Sequence, residues 1–201
     1  MGKTWSRLTL ALLLGLAPTL PVHAQEASPA AREIVRAALE RTREQVTYDG
    51  SYRAIGYPGG DVPANVGVCT DLVIRSYRKA GIDLQVRIHE DMARDFGAYP
   101  KRWGLHRPDR NIDHRRVPNL RRFLERSGAA LPISAFGAAY KPGDLVTWRL
   151  PGNLPHIGIV TEHLSPDGSR PLIVHNIGRG PDLEDMLFAY EITGHYRYPT
   201  P

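Results

Sequence analysis

A change of hydrophobic period at Lys141 is the feature that most constrains how this chain can fold. Up to about residue 128 several apolar stripes recur at helical spacing; beyond Lys141 the apolar residues alternate. Ser28-Pro29 reads as an N-cap with proline at the first helical position, and Ile34, Val35, Ala38, Leu39 and Thr42 follow in one helical stripe. Leu72, Val73, Tyr77 and Ala80 share a second helical face, with Gly81 where a helix should stop. A further surface helix is expected from Pro118 through Leu120, Phe123 and Leu124 to an end near Gly128. Lys141-Pro142-Gly143-Asp144 then reads as a turn, and period-two segments follow at 145–148, 156–160, 172–175 and 186–198. Consecutive strands of this kind imply an antiparallel sheet. Helices first and strands after is the order of an α+β domain and not of a doubly wound parallel sheet.

Residues 1–24 have the layout of an export signal: Lys3 and Arg7, an apolar run at 8–20, then Val22-His23-Ala24 with small residues where a signal peptidase reads. The run is shorter than the roughly 20 apolar residues of a membrane helix, and Pro18 and Pro21 interrupt it. No later segment has the length to span a bilayer, and Cys69, the only cysteine, is far from the cleavage point and offers no lipid anchor there. The chain is therefore expected to be periplasmic or secreted. Cleavage leaves 177 of the 201 residues, residues 25–201, which suits one domain stable without disulfides. Loss of Lys3 and Arg7 lowers the formal charge from +5 to +3. That mild excess suits an anionic surface or substrate, and with no run of five or six basic residues it does not indicate nucleic acid. No feature bears on oligomeric state.

In an oxidising compartment a lone cysteine is a buried small hydrophobe or a reactive thiol. A loop rich in Gly, Pro and Tyr over residues 48–67 leads into Cys69, which then opens a helix. Unpaired N–H groups and the positive end of the dipole favour a thiolate there. The same groups suit the oxyanion formed when a carbonyl is attacked. Asp71 in the first turn supports the helix, while its charge works against a thiolate. A cysteine hydrolase also needs an imidazole to move the proton and a third group to hold that ring. His156 and His175 both stand on expected strands, and a hairpin turning near Asp167-Gly168 puts them on one face. Simple pairing leaves them offset, so their contact requires a bulge or an asymmetric loop.

Together these residues resemble the NlpC-type cell-wall peptidases of the papain-like clan: Tyr57-Pro58-Gly59-Gly60 before the nucleophile, Cys69 opening a helix, a Pro-Gly-Asp-Leu-Val strand at 142–146, His-Ile-Gly-Ile-Val at His156 and Ile-Val-His at His175. More narrowly, Tyr57-Pro58-Gly59-Gly60-Asp61-Val62-Pro63, Asn111-Ile112-Asp113-His114-Arg115-Arg116-Val117 and Val174-His175-Asn176-Ile177-Gly178 are similar to the bacterial family known as domain of unknown function 1287. That likeness covers nearly all of the mature chain. The resemblance implies a papain-like α+β fold, with N-terminal helices and the nucleophile at a helix start packed on an antiparallel sheet. It also implies amide-bond hydrolysis in peptidoglycan stem peptides through an acyl-enzyme, with no cofactor. Cys69 would be the nucleophile, His156 the general base and then acid, His175 the group orienting His156, and Tyr57 a hydroxyl near the oxyanion or substrate. Thr70-Asp71 follows the cysteine where NlpC-type enzymes usually have Ser-Gly, which brings Asp71 to the oxyanion or substrate side. Asn176 faces away from His175 in a regular strand and is the weaker third member.

Residues 84–131 mix Arg, His, Asp, Trp and Pro without a clean period and read as a substrate-shaping insertion. Within them Asn111, Asp113, His114, Arg115 and Arg116 form either a solvated turn whose Asp113 helps start the next helix, or a site where Arg115 or Arg116 forks onto a substrate carboxylate. His89, Glu90, Asp91, Asp113 and His114 have the composition of a metal site but no ligand spacing, so no metal is expected. Two rivals to a hydrolase stand: a non-catalytic wall-binding or scaffold module, and an acyltransferase or transamidase using an amine in place of water.

Overall fold

The computed structural model describes residues 27–199, together with residues 1 and 2. All but two residues of the expected export signal thus lie outside the described residues. Ser28 caps helix α1 (Pro29–Arg41), its hydroxyl accepting from the Ala31 N–H at 3.1 Å. Helix α2 (Cys69–Lys79) is followed by Gly81 at φ 78°, a backbone angle that glycine adopts without strain. Three elements, α1, α2 and α4 (Val117–Arg126), fall where the spacing places them.

Helix α3 (Leu84–Arg94) was not expected. Asp83 caps it, accepting from the Gln85 N–H at 3.0 Å, and Leu84, Ile88 and Met92 on one face are buried. That stripe is one residue wide, and His89, Glu90 and Asp91 within it hide the period. Leu84, Ile88, Met92, Leu120 and Leu124 pack in one cluster with Ile34, Leu72 and Ile157. Residues 84–131 are therefore built into the core rather than appended to it.

Strands β3 (Ala130–Leu131), β4 (Leu145–Leu150), β5 (Leu154–Leu164), β6 (Pro171–Asn176), β7 (Pro181–Glu184) and β8 (Glu191–Tyr196) form one sheet in the order β3-β8-β4-β5-β6-β7. Every pair is antiparallel. The last expected strand is shorter than 186–198, because Met186 and Leu187 turn inward and pairing starts at Glu191. β7 was missed: Pro181 opens it, and Asp182 and Glu184 supply no apolar alternation. It lies at the sheet edge, where proline costs no ladder bond. Leu145, Ile157, Ile159 and Val174 join the helix-covered core, while Val146, Trp148, Val160 and Ile173 form a second cluster with Tyr140, Met186 and Leu187. A short parallel pair, β1 (Thr47–Tyr48) with β2 (Val66–Gly67), ties down the loop ahead of Cys69. The fold is α+β, with the cysteine-bearing helix packed on the sheet.

Candidate active site

Strand register brings the two histidines together. Gly158 lies opposite His175, and the step from Val160 to Leu164 on β5 is matched on β6 only by that from Ile173 to Pro171. This bulge supplies the asymmetry that simple pairing lacks. His156, two residues from Gly158, shares the face of His175, and its Nε2 lies 3.1 Å from His175 Nδ1. A Cβ at Gly158 would meet Ile173 Cγ2 at 2.6 Å and His175 Cβ at 3.1 Å, so glycine there makes room for the ring. On the edge strand, Glu184 Oε2 lies 2.9 Å from His175 Nε2. A carboxylate only accepts, so His175 donates from Nε2. Its Nδ1 must then accept from His156 Nε2–H, which leaves His156 Nδ1 as the nitrogen with a free lone pair. The relay thus ends in a base. Burial pushes His156 down to about 3, with His175 adding to the effect. Burial also lowers His175, against the pull of Glu184. Both rings are neutral at pH 7.

Cys69 opens α2 and is buried, 4 % exposed. The backbone N–H groups of Ile157 and Thr70 and the hydroxyl of Tyr48 surround its sulfur and favour the charged form. Burial outweighs them, Asp71 adds repulsion, and the thiol is pushed up to about 11. The expected thiolate is thereby reversed in this state, because dehydration of the sulfur costs more than the N–H groups return. Burial and the neighbouring thiol also push Tyr48 well above the ordinary tyrosine range, so it faces the sulfur as a neutral hydroxyl. Gly158 and His175 are the last pair joining β5 to β6, and Ile157 lies just past it. Cys69 therefore meets β5 where the two strands part, at Ile157, the residue that follows His156 in the chain. Among the described residues the His156 ring hydrogen-bonds only His175 and makes no such bond to the sulfur.

The remaining expected site residues are placed differently. Tyr57 packs edge-on against His89, ring centroids 5.1 Å apart, with the Arg110 guanidinium 5.9 Å over its face. Tyr48, which the sequence reading missed, supplies the hydroxyl at the thiol instead. Arg115 forks onto Asp71, Nε to Oδ1 at 2.8 Å and Nη2 to Oδ2 at 3.0 Å. Its other N–H groups donate to the carbonyls of Ser51 and Asp49 at 3.1 and 3.3 Å. Asp71 also accepts from the Val68 N–H at 2.7 Å, closing the helix start. Both side chains are buried, so neither is open to a substrate, which corrects the expected roles of Asp71 and Arg115. Arg116 is paired with Asp113 at 3.1 Å and stacked 4.1 Å over Trp103. Asp113 does not cap α4; its Oδ2 accepts from the Asp109 N–H. Asn176 faces away from His175 and donates to the Gly67 carbonyl at 3.4 Å. Asp91 accepts from Arg126 and Tyr99, and Asp113 from Arg116, so these two of the acids considered for a metal are spent on separate partners. Glu184 is the second residue that sequence reasoning missed, since no spacing rule connects it to His175.

A helix-borne cysteine thus packs on an antiparallel sheet that carries a histidine pair and a glutamate. The chain belongs to the family described as Domain of unknown function (DUF1287), whose model matches residues 35–198. It is 48% identical over 165 residues to the Uncharacterized protein YijF of Escherichia coli (strain K12), covering 82% of this chain and 80% of that one. Among solved structures it is similar to NlpC1 from Trichomonas vaginalis, with a TM-score of 0.46, 14% identity and coverage of 88% of this chain and 46% of that one. A Staphylococcus aureus protein of the NLP/P60 family, described as similar to lipoprotein, has a TM-score of 0.42 and 16% identity, with 89% and 44% covered. The chain spans less than half the length of either solved structure.

Proposed function

We propose that this chain is an exported cysteine hydrolase that cleaves amide bonds in peptidoglycan stem peptides. The observation that carries the reading is the Glu184–His175–His156 relay, which ends in an unprotonated Nδ1, on the strand whose next residue, Ile157, turns its N–H to Cys69. The thiol proton passes to His156 Nδ1 as sulfur attacks the peptide carbonyl, and the Tyr48 hydroxyl and Thr70 N–H turn to the oxyanion. His156 returns the proton to the leaving amine, then takes one from the water that attacks the thioester and passes it to the sulfur as the acyl group leaves as a carboxylic acid. With the thiol near 11 and the imidazole near 3, the proton rests on sulfur until a substrate arrives. Attack is thus general-base catalysed and does not start from a standing ion pair. Export is supported by the layout of residues 1–24, and a wall substrate by the motifs around Tyr57, Pro142, His156 and His175.

The buried, protonated thiol favours one rival, a wall-binding module whose cysteine is idle. Incubation with solubilised peptidoglycan fragments separates the readings. The hydrolase releases new primary amines, and Cys69→Ala, with unchanged circular dichroism, does not. Fragments retained without amine release would establish the binding module, and products incorporating an added amine would make the chain a transferase.

A further inference from the structure

Arg115, Arg116, Arg126 and Arg170 are held by carboxylates. Arg107 and Arg110 are not: among the described residues neither guanidinium has an acidic partner, and both are exposed. They converge on a cavity of about 480 Å³ lined also by Tyr52, His89, Leu105 and Asn111. Its wall is fixed by hydrogen bonds. Asn111 Oδ1 accepts from the Ile55 N–H at 3.1 Å, and its Nδ2 donates to the Tyr52 hydroxyl at 2.8 Å. Gln85 Nε2 donates to the Arg110 carbonyl at 3.0 Å, holding the backbone that presents Arg110. Stacking over Tyr57 steadies the Arg110 guanidinium and leaves its N–H edges free. The His89 ring lines the cavity, and its Nδ1 is buried with no partner. The one acid in the wall, Asp109, turns its Oδ1 to the Asn111 N–H at 2.9 Å.

We infer that this cavity binds a carboxylate of an acidic peptide, with Arg107 and Arg110 as the clamp and His89 as a third contact. The inference rests on the hydrolase reading and deepens it, assigning to this pair the carboxylate recognition that Arg115 and Arg116 cannot supply. Planar guanidinium forks suit a carboxylate, which they bind in pairs of parallel hydrogen bonds. The cavity and the thiol are joined by a short piece of chain. Tyr52 in its wall is four residues from Tyr48 at the sulfur, and four residues of chain span at most about 14 Å.

The test is binding to the full chain carrying Cys69→Ala, so that affinity is read without turnover. The probes are acetyl-Ala-Glu-Ala with its carboxylates free, the same peptide with both carboxylates amidated, and inorganic phosphate, followed by calorimetric titration. The free acid should bind about tenfold more tightly than the amide, as expected of charge-assisted pairing. Arg107→Gln combined with Arg110→Gln should erase that preference while leaving the unfolding midpoint in place, and His89→Gln should reduce it. Equal affinities for acid and amide, or a preference that survives the double substitution, would overturn the inference. So would phosphate that competes at the peptide's own concentration, because the cavity would then belong to phosphate groups. Acid preference without amine release from wall fragments defeats only the hydrolase; amine release without acid preference defeats only this cavity's role.

Discussion

Two chains of buried polar groups run through this molecule, and they end differently. In the first, Arg115 and Asp71 close on each other, and the rest of each side chain is taken by backbone groups of Asp49, Ser51 and Val68. In the second, Glu184 and His175 fix the ring of His156, whose outer nitrogen takes no protein hydrogen bond among the described residues. A saturated chain holds a loop to a helix. An unsaturated one ends in a lone pair that no protein group takes up among the described residues. The difference between structural and chemical burial is thus one of completeness and not of residue type. Asp144 makes the same point: His195 and Arg197 both bond it, the His195 ring also meets the Pro132 carbonyl, and no open nitrogen results.

The sharpest way to break the comparison is to open the closed chain. Arg115→Met leaves the Asp71 carboxylate buried without its partner and should cost about 3–5 kcal/mol in denaturant unfolding. A loss below 1 kcal/mol would mean the pair is not closed in solution. The open chain should answer in activity instead. His156→Gln keeps a donor toward His175 but removes the base, so amine release should fall roughly 10²–10⁴-fold while the unfolding midpoint moves little.

Neutral burial of histidine adds a pH dependence. The folded values of His156 and His114 are pushed down to about 3 and about 4, each by burial first. Between the ordinary histidine value and these, the unfolded chain holds protons that the folded chain does not. Stability is therefore full above about pH 6.5 and falls as pH drops toward 4, by up to ~1.4 kcal/mol per pH unit for each group. Urea unfolding at pH 7, 6 and 5 reads this slope, and His114→Gln should flatten it. A midpoint constant over that range would show that the rings are not buried neutral. The smallest effect is expected at Glu184, which is partly exposed and acts only through His175. Glu184→Gln should lower kcat by about tenfold, or ~1.4 kcal/mol, and leave KM in place. An unchanged kcat would remove Glu184 from the relay.

Local signals were legible in the sequence. Ser28-Pro29, the stripe behind Cys69 and the alternation at β4 to β6 each depend on neighbours a few residues away, and so placed Cys69, His156 and His175 correctly on their elements. The hidden features depend on distant partners. Arg115 lies 44 residues from Asp71, and only tertiary packing makes their fork. Glu184 lies nine residues from His175, on an edge strand with no apolar alternation to announce it. Tyr48 opens the loop whose Gly-rich middle drew attention to Tyr57, and the β1–β2 pairing that fixes its backbone is two residues long. Burial reversed the sign at the thiol for the same reason, since a helix start is visible in sequence and the packing over it is not.

The most direct test is an acid-quenched reaction of the chain with solubilised peptidoglycan peptides, read by intact-protein mass spectrometry and peptide mapping. A mass increase equal to an acyl fragment, confined to Cys69 and absent from Cys69→Ala, is the expected result. An unmodified Cys69 at every quench time, with no amine released, would contradict nucleophilic catalysis by this residue.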